Sequence, residues 1–214
     1  MKQFILFLAG LLLSSITLNG QKNSESRLRI GLSAGLIKNL SSEKMPISEY
    51  TGFSSDYKNP NYKFGLHIEY LLKANVTLNG AINYSNKDFT GTYFCDVCDF
   101  AFTPSPEEVD FSFMEVPLSL RYYFIPRRIR LFGEIGLNNL FPLNSPGDES
   151  GVHSYVIGYK LGGGLEYNLS EKIAFQLALD YNNSISKWFK DSYFEGSYFK
   201  LKSINFGVTI LKKL

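Results

Sequence analysis

YKLGGGLEYNLSEKIAFQLALDYNN, residues 159–183, holds two alternating runs on either side of a polar turn, Asn168-Leu169-Ser170-Glu171. Read by twos, Tyr159, Leu161, Gly163, Leu165 and Tyr167 share one face, and Lys160, Gly162, Gly164, Glu166 and Asn168 share the other. After the turn, Ile173, Phe175, Leu177, Leu179 and Tyr181 oppose Ala174, Gln176, Ala178, Asp180 and Asn182. A period of two is that of a β-strand, so this is a hairpin. Alternation alone leaves open which face is wet. A soluble barrel turns its apolar face inward, whereas a membrane barrel turns it toward lipid.

The same rhythm recurs outward from this hairpin. Eight strand-like runs are predicted, at 28–37, 62–71, 76–86, 111–124, 130–140, 155–167, 173–182 and 199–211. The connections alternate in length: long at 38–61, 87–110, 141–154 and 183–198, short at 72–75, 125–129 and 168–172. In an up-and-down barrel, successive connections fall at opposite ends. Strict alternation therefore gathers the long loops at one end and the short turns at the other, as outer-membrane barrels do.

The remaining bounds agree. At 214 residues one domain suffices. A net charge of +2 provides no basic footprint for nucleic acid. The opening MKQFILFLAGLLLSSITLNG has a lysine, an apolar run of about ten residues and a small-residue end, the pattern of a signal peptide. The expected division is residues 1–20 as signal peptide and 21–214 as barrel, and the apolar run is shorter than the roughly 20 residues of a spanning helix.

Three features favour a lipid-facing apolar side. First, the polar faces combine glycine with mixed charge, as a narrow interior requires: Lys63, Gly65, His67 and Glu69; Glu115, Ser119 and Arg121; Glu134, Gly136 and Asn138; Lys160, Gly162, Gly164 and Glu166. Second, Tyr70, Tyr84, Tyr122, Tyr123, Phe124, Tyr167 and Tyr181 gather near strand ends, where membrane barrels carry aromatic girdles. Third, the last strand runs to the end of the chain, as closure by terminal strands demands, because an open edge in lipid strands its backbone groups. The fold class expected is all-β, an eight-stranded antiparallel transmembrane barrel. Phe111 and Phe113 share the inward parity of Glu115, so either a bulge near Met114 shifts the phase or the rings stand above the membrane. Pro117 lacks a ladder donor, which also suggests a bulge.

The segment MEVPLSLRYYF (114–124), its Pro-containing turn, LFGEIGL (131–137) and the 159–183 hairpin together resemble the outer-membrane β-barrel proteins common in Bacteroidetes, a group that includes PorT-like proteins linked to a secretion system. The chain departs from many such barrels in ending Lys212-Lys213-Leu214 rather than on an aromatic residue. The resemblance implies an outer-membrane location, a lipid surround and no catalytic residues.

Cys95 and Cys98 are the only cysteines, and in an exported chain they suggest a small loop disulfide. Inside the barrel, Lys63, Arg121 and Lys160 are expected to pair with Glu69, Glu115, Glu134, Glu166 and Asp180 as a structural plug, with His67 beside them, because an unpaired charge in a narrow barrel is costly. No cofactor, metal site or catalytic constellation is expected. The function expected is that of a non-enzymatic barrel whose loops or periplasmic turns contact partners, including envelope or secretion-system proteins. Two alternatives are a soluble lipocalin-like carrier and a lipid-modifying outer-membrane enzyme using His153 near the rim.

Overall fold

The computed structural model describes residues 27–40, 44–46, 51–56, 61–95, 105–125, 128–144, 153–186 and 200–214. The expected signal peptide lies outside them. Eight strands close into an antiparallel barrel: β1 (Leu28–Asn39), β4 (Asn61–Lys73), β5 (Val76–Asn86), β8 (Ser112–Tyr123), β9 (Ile129–Pro142), β10 (Val156–Asn168), β11 (Ile173–Ser184) and β12 (Lys202–Lys213). Each run expected from the alternation is there. Closure is made by β1 against β12, from Arg29 opposite Lys213 to Asn39 opposite Ser203.

Sidedness follows the charge pattern. Leu32 is 68% exposed and Ile135 62%, in mid-strand, while Glu69, Glu115 and Glu166 are fully buried. The lipocalin-like alternative fails here, since a soluble barrel does not turn a continuous row of aliphatic side chains outward. A twelve-residue strand rises about 40 Å and, tilted about 40°, spans about 30 Å, the thickness of a hydrocarbon core. Aromatics ring both ends of the outer surface. At the loop end Phe64 lies 5.3 Å from Tyr84, and Phe141 lies 5.3 Å from Tyr155. At the turn end Tyr122 packs edge-on against Phe124 at 5.2 Å. Tyr123 does not belong to this girdle: it points inward and is 1% exposed.

The structure differs from the sequence reading in two other places. The first two long connections are not plain loops. They contribute β2 (Lys44–Pro46), β3 (Thr51–Asp56), β6 (Phe89–Cys95) and β7 (Glu107–Val109), which form a separate four-stranded sheet in the order β2-β3-β6-β7. These runs are short and weakly alternating, so their pairing depends on the neighbouring loop rather than on local pattern. Nor is there a bulge at Met114 or Pro117. The β5–β8 register is the same on both sides of the proline, with Gly80 opposite Leu118 and Asn83 opposite Glu115. Phe111 and Phe113 are accordingly inside. They stack at 5.4 Å and form a buried apolar cluster with Leu140 and Val156, covered by Phe89 and Leu201.

Candidate functional site

The candidate site is the barrel interior, where the inward positions of all eight strands meet. All nine charged or histidine positions singled out in the sequence line it. Toward the loop end, Lys63 reaches Asp180 at 3.9 Å, and Lys87 pairs with Glu115 at 2.8 Å. Ser85 also donates to Glu115, at 2.9 Å. At mid-height Arg121 lies 2.7 Å from Glu134 and 3.6 Å from Glu69. Lys160 bridges Glu134 and Asp180, the latter at 3.4 Å. Ser119 donates to Glu134 at 2.6 Å.

Toward the turn end Glu166 is the hub. It accepts from Arg29 at 2.9 and 3.1 Å, from Arg130 Nε at 3.0 Å, from Tyr123 Oη at 2.7 Å and from Gln176 at 2.7 Å. Arg29 also pairs with Glu69. Rings support the guanidinium groups: Arg121 lies 4.0 Å from the centre of Phe132, and Arg130 4.0 Å from that of Tyr123. Such stacking supplies part of what these cations lose on leaving water.

Glycine makes room for this filling. A Cβ on Gly164 would fall 2.0 Å from the Leu177 carbonyl oxygen and 2.7 Å from Phe132. One on Gly162 would fall 2.2 Å from the Asp180 carboxylate. The mid-strand glycines are therefore places where an interior ring or carboxylate lies against bare backbone.

Three cations, Arg29, Lys87 and Arg130, were missed in the sequence. Two signals for them existed. Arg29 shares the parity of Gly31 and Ser33, and Arg130 that of Glu134. The expected network also held five carboxylates against three cations, a deficit that further inward cations had to fill. His67 lies inside, but its Nε2 finds no partner among the described residues. It borders a cavity of about 50 Å³ with room for water, as do the unpaired oxygens of Asn138, Asp180 and Asn182.

His153 lies three residues before the start of β10 at the loop end, half-buried, and the described residues contain no group of three or more His, Cys, Asp or Glu placed to hold a metal. Cys95 ends β6, and Cys98 lies outside the described residues.

A closed antiparallel barrel with an aliphatic exterior, two aromatic girdles and a salt-bridged interior is a transmembrane β-barrel. Residues 5–210 match the outer membrane protein beta-barrel domain model, and the chain belongs to that family of bacterial outer-membrane proteins. Among solved structures, Neisserial surface protein A is similar at 16% identity, covering 90% of this chain and 100% of its own, with a TM-score of 0.54. The outer membrane protein OprG from Pseudomonas aeruginosa is similar at 14% identity, covering 90% and 98%, with a TM-score of 0.55. At these identities the likeness is one of fold. No curated protein matches the chain.

Proposed function

We propose that this protein is a non-conducting, non-catalytic outer-membrane barrel that works as a contact module. Its long-loop end faces outward and its short turns face the periplasm, the usual disposition of such barrels. The observation that carries this reading is the filled interior. Ion pairs occupy the barrel from Glu166 to Glu115, the phenylalanine cluster lies above them, and the cavity among the ion pairs is only about 50 Å³. A route for solute along the axis would have to displace buried, mutually paired charges, at a cost of several kcal/mol per ion. What remains available for function is the surface at each end. At the loop end the four-stranded sheet gives two loops a fixed shape, which suits recognition better than mobile chain does. Asp88 anchors that sheet to the barrel: its carboxylate accepts from the Phe111 amide at 2.9 Å and from Asn86 at 2.6 Å. An envelope accessory role, of the kind the PorT-like resemblance implies, is the form this takes.

The experiment has two arms. The purified barrel is reconstituted in planar bilayers, and no ion-conducting steps are expected. In intact cells a photocrosslinker in place of Tyr93 on β6 is expected to capture a discrete protein partner. Stable conductance from the wild-type barrel contradicts the reading, and so does a crosslinking pattern no different from that of a residue on the lipid face.

A further inference from the structure

At the turn end the barrel opens into a vestibule of about 810 Å³ whose lining is dominated by cations. Arg27, Arg29, Arg128, Arg130, Lys172 and Lys213 line it, and Glu171 is the one acidic side chain among its described lining residues. Arg27, Arg29, Arg130, Lys172 and Lys213 lie on the inward parity of their strands or strand extensions, and Arg128 stands at the rim. Their distribution is not that of a random patch. In the barrel order β1-β12-β11-β10-β9, β1 and β9 stand on opposite walls. Each wall delivers an arginine pair, with Lys213 and Lys172 on the arc between them.

The floor displays the chemistry that the site favours. Arg29 holds the Glu166 carboxylate with both terminal nitrogens, at 2.9 and 3.1 Å, and Arg130 reaches the same group from across the barrel. Planar forks that grip a carboxylate at the base are repeated one step outward by Arg27 and Arg128. Arg128 is held at the rim by the face of Tyr167, 5.1 Å away. The interior beneath does not cancel this field. Its five paired carboxylates are met by Lys63, Lys87, Arg121 and Lys160 together with the floor's own Arg29 and Arg130, which leaves Arg27, Arg128, Lys172 and Lys213 in excess of Glu171.

We propose that this vestibule binds a ligand bearing several carboxylates, presented along the barrel axis as an acidic peptide segment of an envelope protein. A cleft lined by one sign of charge over low-dielectric walls concentrates the opposite charge, and binding weakens as salt rises. The axial approach separates this ligand from membrane lipid, whose headgroups meet the outward faces of the strands. The ligand class rests on the vestibule's geometry alone. Its placement in the periplasm rests on the orientation proposed above, and the test does not depend on that orientation.

The test uses the full barrel in nanodiscs of zwitterionic lipid and a fluorescein-labelled oligo-aspartate peptide, read by anisotropy at low ionic strength. Saturable binding is expected, weakening as salt is added. The combined variant Arg27→Gln/Arg128→Gln/Lys172→Gln leaves the floor pairs intact and is expected to lose affinity by about tenfold or more. A loop-end control, Lys38→Gln/Lys202→Gln, is expected to bind as the wild type does. Absence of saturable binding overturns the proposal, as does equal loss in the control. Tripolyphosphate displacing the peptide at far lower concentration than unlabelled oligo-aspartate overturns the carboxylate assignment in favour of phosphate. Loss of peptide binding when anionic lipid is added to the nanodisc, with the control variant unaffected, identifies a lipid occupant and overturns it as well.

Discussion

Replacing Glu166 by alanine tests whether the interior is a dry plug or a hydrated lumen. The carboxylate is fully buried and accepts from two arginines, a tyrosine and a glutamine. Among the described ion pairs it is the sole carboxylate of Arg130, whereas Arg29 keeps Glu69. Removing one partner of a buried pair typically costs about 3–5 kcal/mol, because the remaining charge stays desolvated. Both arginines reach toward the turn-end mouth and retain some exposure, 15% for Arg29 and 17% for Arg130, which places the expected loss near the lower figure. A loss of about 3 kcal/mol lowers the folding equilibrium constant by about two orders of magnitude. The assay is reversible urea unfolding of the barrel in lipid vesicles, followed by tryptophan fluorescence. Glu166→Gln keeps the shape and an acceptor for Tyr123, and should lose roughly half as much. Combining Glu166→Met with Arg130→Met removes the orphaned charge along with its partner, so the pair should cost less than the two single changes summed. A loss below about 1 kcal/mol for Glu166→Ala, the range of an exposed pair, would refute the premise that these charges are withheld from water.

Three other outcomes follow from the same structure. Ile135→Lys puts a charge at mid-height on the lipid face and should cost about 2–4 kcal/mol by the same unfolding assay, while a lysine in place of Leu40, beyond the end of β1, should be near neutral. Gly164→Ala drives a methyl into the Leu177 carbonyl and should destabilise the barrel or slow its folding; Gly207→Ala, where a Cβ would meet only the Ala34 carbonyl oxygen at 3.8 Å, should be neutral or stabilising by up to about 1 kcal/mol. Phe113→Ala empties part of the loop-end cluster and should cost about 3–5 kcal/mol, and the truncated barrel should still not conduct in planar bilayers because the ion pairs below it persist.

The eight strands were legible because a barrel between lipid and a polar lumen enforces alternation on every strand, and a one-residue slip would expose charge to hydrocarbon. The short extramembrane strands lacked that enforcement. Lys44–Pro46 and Glu107–Val109 are three residues each, and only their neighbours in the sheet define them. The nine interior residues could be picked out by parity, but their partners could not. Parity says which way a side chain points and leaves its height in the barrel open, so Glu166 could not be matched to Arg29, 137 positions away in the chain. Tyr123 shows the opposite limit. Placed among tyrosines at a strand end, it looked like a girdle residue, yet its neighbour Tyr122 takes the lipid side and leaves Tyr123 inside with the carboxylates.

The interior is graded along the axis, and the grading bears on what each end can do. At the loop end Phe111, Phe113, Leu140 and Val156 close the lumen by apolar packing, with Lys87 held against the Phe113 ring at 6.0 Å. At the turn end closure is ionic, through Arg29, Glu69, Glu166 and Arg130, and it opens directly into water. An apolar seal has no preference among charged ligands and favours none at its mouth. An ionic seal with its cations outermost does prefer anions, because the guanidinium groups of Arg29 and Arg130 are held toward the mouth by buried carboxylates and further cations stand beyond them. The two ends of one closed barrel thus differ in kind: a shaped, sheet-bearing surface over a dry cap on one side, and a charge-selective hollow on the other. That asymmetry comes from which inward positions along each strand carry aromatic residues and which carry arginine, with the fold itself unchanged.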